Sequence, residues 1–192
     1  MAVFMPDWRP MKRRSFLRTT SALVPTGFLE SFAVSQTAAS SAARETHIIP
    51  SGQDRDGEFH SRGNSSILFK VLPSETNGGL FILEHDKMVK GGPPLHYHLN
   101  QEEWFYVIEG EVLFQLGDTR KRLGPGDSLL GPRRVPHTFS CVGTPGRMLI
   151  AFNPAGKMEE FLRATAIPNP PVQDAAFFRR YELELVGPSP LL

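Results

Sequence analysis

The sequence predicts an all-β protein: one barrel, with short helices packed on it after the last strand. Three observations lead there. Runs rich in β-branched and aromatic residues recur between Ile67 and Phe152, each closed by turn residues. Seventeen Gly and seventeen Pro among 192 residues suit a chain of strands and turns. No segment of about 20–50 residues repeats, so the chain holds one barrel and not two.

The elements follow in order. Residues 1–35 read as an export signal of the twin-arginine type: Lys12-Arg13-Arg14-Ser15-Phe16-Leu17, then a modest apolar stretch over 22–34. Pro25, Gly27 and Glu30 break that stretch, which is too short and polar to span a bilayer. Ala33-Val34-Ser35 is a small-residue cleavage site, and Met11 is a better-placed start than Met1. The expected location is periplasmic or extracellular. Residues 36–62 are polar and small, a linker arm with a first strand around 46–49. The barrel is expected over 63–154. Its strands fall at 67–72, 80–85, 96–98, 103–116 (a pair around a turn at Gly110), 120–123, 128–130, 136–142 and 147–152. Residues 155–192 form a helical extension. Met158, Phe161 and Leu162 recur at helical spacing there, and a second helix over 173–181 runs into 183–186. Phe177, Phe178 and Tyr181 are expected to pack against the barrel wall rather than over its mouth.

One constellation carries chemistry. His96-Tyr97-His98 is followed by four residues and Glu103, and His137 comes 34 residues later beyond a Pro-rich turn. Side chains alternate along a strand, so His96 and His98 share a face. By the same rule Glu103, Phe105 and Val107 share one, and His137, Phe139 and Cys141 another. A closed barrel aims these faces at one interior. Three imidazoles and a carboxylate suit a divalent transition metal: Mn, Fe, Ni or Co, with Zn also accepted. Such a set leaves a first-row metal with open positions for a substrate. Glu102 points to the opposite face from Glu103 and reads as a surface carboxylate. His47, His60 and His85 have no partner at a useful spacing. Cys141 reads as a small buried apolar group.

These motifs resemble a known family. Gly92-Pro93-Pro94-Leu95-His96-Tyr97-His98-x4-Glu103-x6-Gly110 is similar to the first cupin motif, and Gly126-x5-Pro132-x4-His137 to the second. The phrases Phe105-Tyr106-Val107-Ile108-Glu109-Gly110-Glu111 and Gly124-Pro125-Gly126-Asp127 resemble the type-2 cupins related to quercetin 2,3-dioxygenase. The resemblance implies a single cupin (double-stranded β-helix, jelly-roll) barrel and a dimer through the outer sheet face, where Trp104 and Tyr106 point. The chain departs from the pattern at three places. Gly91 leaves four residues before His96 instead of five, Arg134 stands where Gly is usual, and Cys141 where Asn is usual.

The functional expectation follows from both lines. The formal charge is +1, and without residues 1–35 the chain has 16 basic against 18 acidic residues. Nothing in that balance favours nucleic acid or a membrane surface as a partner. One cysteine allows no internal disulfide, so stability rests on the core and the metal. The resemblance implies a metal-dependent dioxygenase acting on a phenolic, flavonol-like small molecule with O2 as co-substrate. Glu103 then acts as catalytic base as well as ligand, and Phe105, Val107, Phe139 and Cys141 line the substrate pocket. Two alternatives stand beside it: a metal- or small-molecule-binding barrel without turnover, and an isomerase or lyase. A roomy interior favours the first reading and a plugged one favours a structural metal.

Overall fold

Alternating apolar and polar side chains over Ser66–Val71 and Phe81–Met88 make strands with one buried face, and two such strands pair readily. The computed structural model describes residues 48–192. The expected export signal, His47 and the start of the strand expected at 46–49 lie outside the described residues. Ile48 and Ile49 belong to no strand. The first strand is instead β1 (His60–Ser61), antiparallel to β2 (Ser66–Val71).

A 3-10 turn at Pro73–Glu75 leads to β3 (Phe81–Met88), and β4 is Leu95–His98. Two long strands then form the frame. β5 (Glu102–Leu116) and β8 (His137–Asn153) lie antiparallel over almost their whole lengths. The free edge of β5 is covered in two steps, by β6 (Thr119–Leu123) and by β7 (Ser128–Gly131). The free edge of β8 is covered by β3 along its second half and meets β4 at His137. A last strand, β9 (Leu183–Gly187), adds to the outer edge of β4.

Two expected strand pairs are therefore single bent strands. The turn expected at Gly110 is a bulge inside β5, and 136–142 and 147–152 are one strand. Gly110 has φ +75°, and a Cβ there would lie 2.8 Å from the Gly146 Cα. The close approach of these two glycines lets both frame strands bend at one point, folding the ribbon into two facing layers. The segment 183–186 is likewise not the tail of a helix. Its alternating Leu183, Leu185 and the pairing with β4 make it a barrel strand.

Between the layers lies an aromatic core of Phe69, Phe81, Phe105, Phe114, Phe139 and Phe152. Phe105 packs edge-on against Phe114, with centroids 4.9 Å apart. Helix α1 (Met158–Thr165) buries Met158, Phe161, Leu162 and Thr165 against this core. Helix α2 (Ala175–Arg180) starts at Asp174, whose carboxylate accepts from the Phe177 amide at 2.8 Å. Among the described residues no helix is long and apolar enough to cross a membrane.

Candidate metal centre

β4 and β8 place His96 and His137 directly opposite each other, and alternation puts His98 on the same face as His96. Glu103 comes from the N-terminal half of β5, in the facing layer. The four side chains meet between the layers. One ligand atom from each of His96, His98, Glu103 and His137 lies within 4.8 Å of the others, and all four residues are buried.

The hydrogen bonds around the cluster settle which nitrogens face it. His96 Nδ1 lies 2.9 Å from the Pro94 carbonyl oxygen, and His137 Nδ1 2.9 Å from that of Val135. A carbonyl only accepts, so each Nδ1 carries the proton and donates. His98 Nδ1 faces Gln101 Oε1 at 3.3 Å in the same way. Each ring is thereby held with its Nε2 lone pair toward the centre, the arrangement metal-binding imidazoles use. Glu103 Oε2 sits 2.7 Å from His137 Nε2 and 3.0 Å from His98 Nε2. A carboxylate oxygen facing two lone pairs is satisfied only with a cation between them, either a proton or a metal. The residues present fit a metal by this test.

The titration shifts agree. Burial opposes ionisation of Glu103, but the charge of His98 and the hydrogen bonds to His137 and His98 outweigh it and hold the carboxyl well below its usual range. Burial also disfavours charge on His137, yet the contact with Glu103 wins and its pKa is raised. Burial and the neighbouring His137 and His98 push His96 well below the imidazole range. Without a metal the pair Glu103–His137 therefore keeps a proton where a metal would sit.

A cavity adjoins the cluster. It touches His96 and Glu103 and is lined by Pro93, Phe139, Phe152 and the helical residues Met158, Phe161 and Phe178. The Phe178 ring stands edge-on to His96 at 6.0 Å. Phe178 is thus buried as part of the cavity lining, next to the cluster. Phe177 and Tyr181 pack on Phe161 behind it. Of the four expected pocket residues Phe139 alone lines the cavity. Phe105 and Val107 are wholly buried in the core, and Cys141 is buried beside Gly146.

Several residues here escape a sequence reading. Gln101 is fully buried and fits because Gly156 has no Cβ, which would lie 1.6 Å from its Nε2. His85 lines the cavity with its Nδ1 2.7 Å from Ser65 Oγ, and burial lowers its pKa to about 3. Arg62 reaches the cavity from the loop after β1. All three lack a motif spacing; only His85, by its place near a strand end, carries a sequence hint of lining the barrel mouth. Glu102, as expected, is on the outside, where it accepts from Arg133 Nε at 2.5 Å and is held below the usual range by that contact. His60 is a core residue stacked on Phe69 at 4.4 Å.

Comparison with known proteins bears on the fold. Residues 87–152 match the cupin domain family model. A structure of an RmlC-like cupin from Shewanella frigidimarina is 24% identical, with a TM-score of 0.50, over 61% of this chain and 96% of that one. KdgF from a Halomonas species is 17% identical, with a TM-score of 0.46, over 52% of this chain and 87% of that one. Oxalate decarboxylase of Bacillus subtilis, described with Mn(II) centres, is 20% identical, with a TM-score of 0.44, over 50% of this chain and 27% of that one. No curated protein matches the chain in sequence. The fold is thus that of a cupin β-barrel carrying two helices, with residues 87–152 similar to the cupin domain and a four-residue cluster that could hold a metal.

Proposed function

We propose that this cupin barrel is a metal-dependent enzyme, a dioxygenase that acts on a small molecule binding through oxygen at the cavity side of the cluster. One observation carries the reading. All four ligand side chains are buried, and two of them, His96 and Glu103, line a largely apolar cavity. A purely structural metal has no use for such a cavity.

The bound metal would supply a Lewis acid, drawing charge from a coordinated substrate oxygen. His96, His98 and His137 would hold it, their rings fixed through Nδ1. Glu103 touches both the cluster and the cavity, so it accepts the proton a substrate hydroxyl gives up on binding. Its depressed pKa keeps it ionised and weakens it as a base, so proton uptake goes with loosening of its contacts in the cluster. Phe139, Phe152 and Phe178 exclude water around that proton. The cavity leaves about 50 Å³, room for about four waters. Small phenols and enediols fit that space more readily than a substrate of flavonol size.

The test loads the protein separately with Mn, Fe, Co, Ni and Zn and follows O2 uptake over a panel of small phenols, enediols and hydroxy acids. The expected result is uptake with at least one redox-active metal, falling at least about a hundredfold in Glu103→Gln. Unchanged turnover in that variant removes the proton-acceptor role. Turnover that needs no O2, or proceeds with Zn, transfers the site to isomerase or lyase chemistry. No turnover with any metal leaves a binding barrel.

A further inference from the structure

Arg62 is out of keeping with the other arginines. Arg55, Arg147 and Arg163, also partly buried, each pair with a carboxylate: Glu75, Glu84 and Glu159 respectively. Arg62 pairs with none among the described residues. Its Nη1 donates to Thr165 Oγ1 at 2.7 Å and its Nη2 to Gln173 Oε1 at 3.1 Å, both neutral acceptors. The guanidinium lies over the Phe161 ring, 5.5 Å from its centre. These contacts from α1, from the segment before α2 and from Phe161 fix the group in place on the wall of the metal cavity.

A guanidinium has five N–H donors, and two are used. Burial lowers its pKa to about 10, which leaves it charged at neutral pH. A partly buried cation without a counter-charge is costly, and the cost falls when an anion binds beside it. The same cavity is lined by His96 and Glu103 of the cluster, and neutral His85 adds one polar group to the wall.

We infer that Arg62 is the anion anchor of the cavity, and that the substrate is a small carboxylic acid whose carboxylate meets Arg62 while another oxygen faces the metal. This rests on the metal reading of the cluster. A planar guanidinium matches a carboxylate with two parallel hydrogen bonds, which orients the acid as well as holding it. The cavity's size favours a small acid. Arg62 is a specificity determinant here, and Thr165, Gln173 and Phe161 are positioning residues for it.

The experiment measures calorimetric binding of acetate, glycolate, malonate, lactate and 2-oxoglutarate, and of the corresponding amides, to parent and Arg62→Gln. Each protein is used both loaded with Mn and stripped with chelator. Metal content and thermal midpoint confirm that Arg62→Gln folds and loads like the parent, and Arg62→Lys serves if it does not. At least one acid is expected to bind the parent, its amide at least tenfold more weakly, and Arg62→Gln is expected to lose about ten- to a hundredfold. The loss should persist in stripped protein, where overall binding is weaker. Acid and amide binding alike, no acid binding, or equal binding by Arg62→Gln overturns the anchor. Arg62-dependent binding that is indifferent to metal keeps the anchor and removes the metal half of the site, so the two failures are distinguishable.

Discussion

His85 shows what burial does to one residue. Its folded pKa of about 3 lies below the ordinary 6.5, because burial and then Arg62 disfavour the charged ring more than Glu103 favours it. Below about pH 6.5 the unfolded chain binds a proton that the folded chain refuses, so stability falls on acidification until about pH 3. Replacing His85 by Leu should flatten the dependence of unfolding free energy on pH between 6 and 4. The slope should drop by about 1.4 kcal/mol per pH unit relative to the parent, whatever the constant offset from losing the Ser65 contact. Urea titrations at several pH values read that difference, and parallel curves would contradict it. The four cluster residues were legible in the sequence because strand alternation and motif spacing both point at them. Arg62 and Gln101 were not, since they reach the site by tertiary packing, and His85 carried only the hint of its place near a strand end. Arg134 is an instructive departure. It stands where Gly is usual and adopts φ +64°, the left-handed region that explains the preference for Gly.

At the scale of elements, the bend shared by β5 and β8 is what brings Glu103 over the three histidines. It depends on Gly110 meeting Gly146. Gly110→Ala forces a Cβ into backbone at 2.8 Å and also strains a positive φ, so a loss of about 2–4 kcal/mol is expected. Gly143→Ala, at φ +78° with nothing within 4 Å, should show only the backbone part, about 1–2 kcal/mol. Equal losses for the two in chemical denaturation would show that the contact between the frame strands is not what matters. The sequence reading found most strands and both helices from periodicity and turn residues. It split β5 and β8 because glycine inside an apolar run reads equally as a turn or a bulge. It missed β9 because a four-residue alternation after a helix takes its identity from the partner strand β4.

For the whole molecule, the cluster ties the two layers together, since Glu103 and the histidines come from opposite ones. A metal bound only by the folded state stabilises it by mass action, about 4 kcal/mol at a thousandfold excess over Kd. Chelation should therefore lower the thermal midpoint by roughly 8–16 °C, and adding metal back should restore it. The barrel class was readable from composition and pattern, whereas the size of the cavity was not, because it depends on where Phe178 and α1 come to rest. The measurement that tests the central claim most directly is the metal content of the purified protein by plasma mass spectrometry, beside His96→Ala. About one equivalent of Mn, Fe, Co or Ni is expected in the parent and below about a tenth in the variant, with the β circular dichroism unchanged. A parent that neither carries nor takes up a metal, or a His96→Ala protein that keeps its full equivalent, would contradict the account.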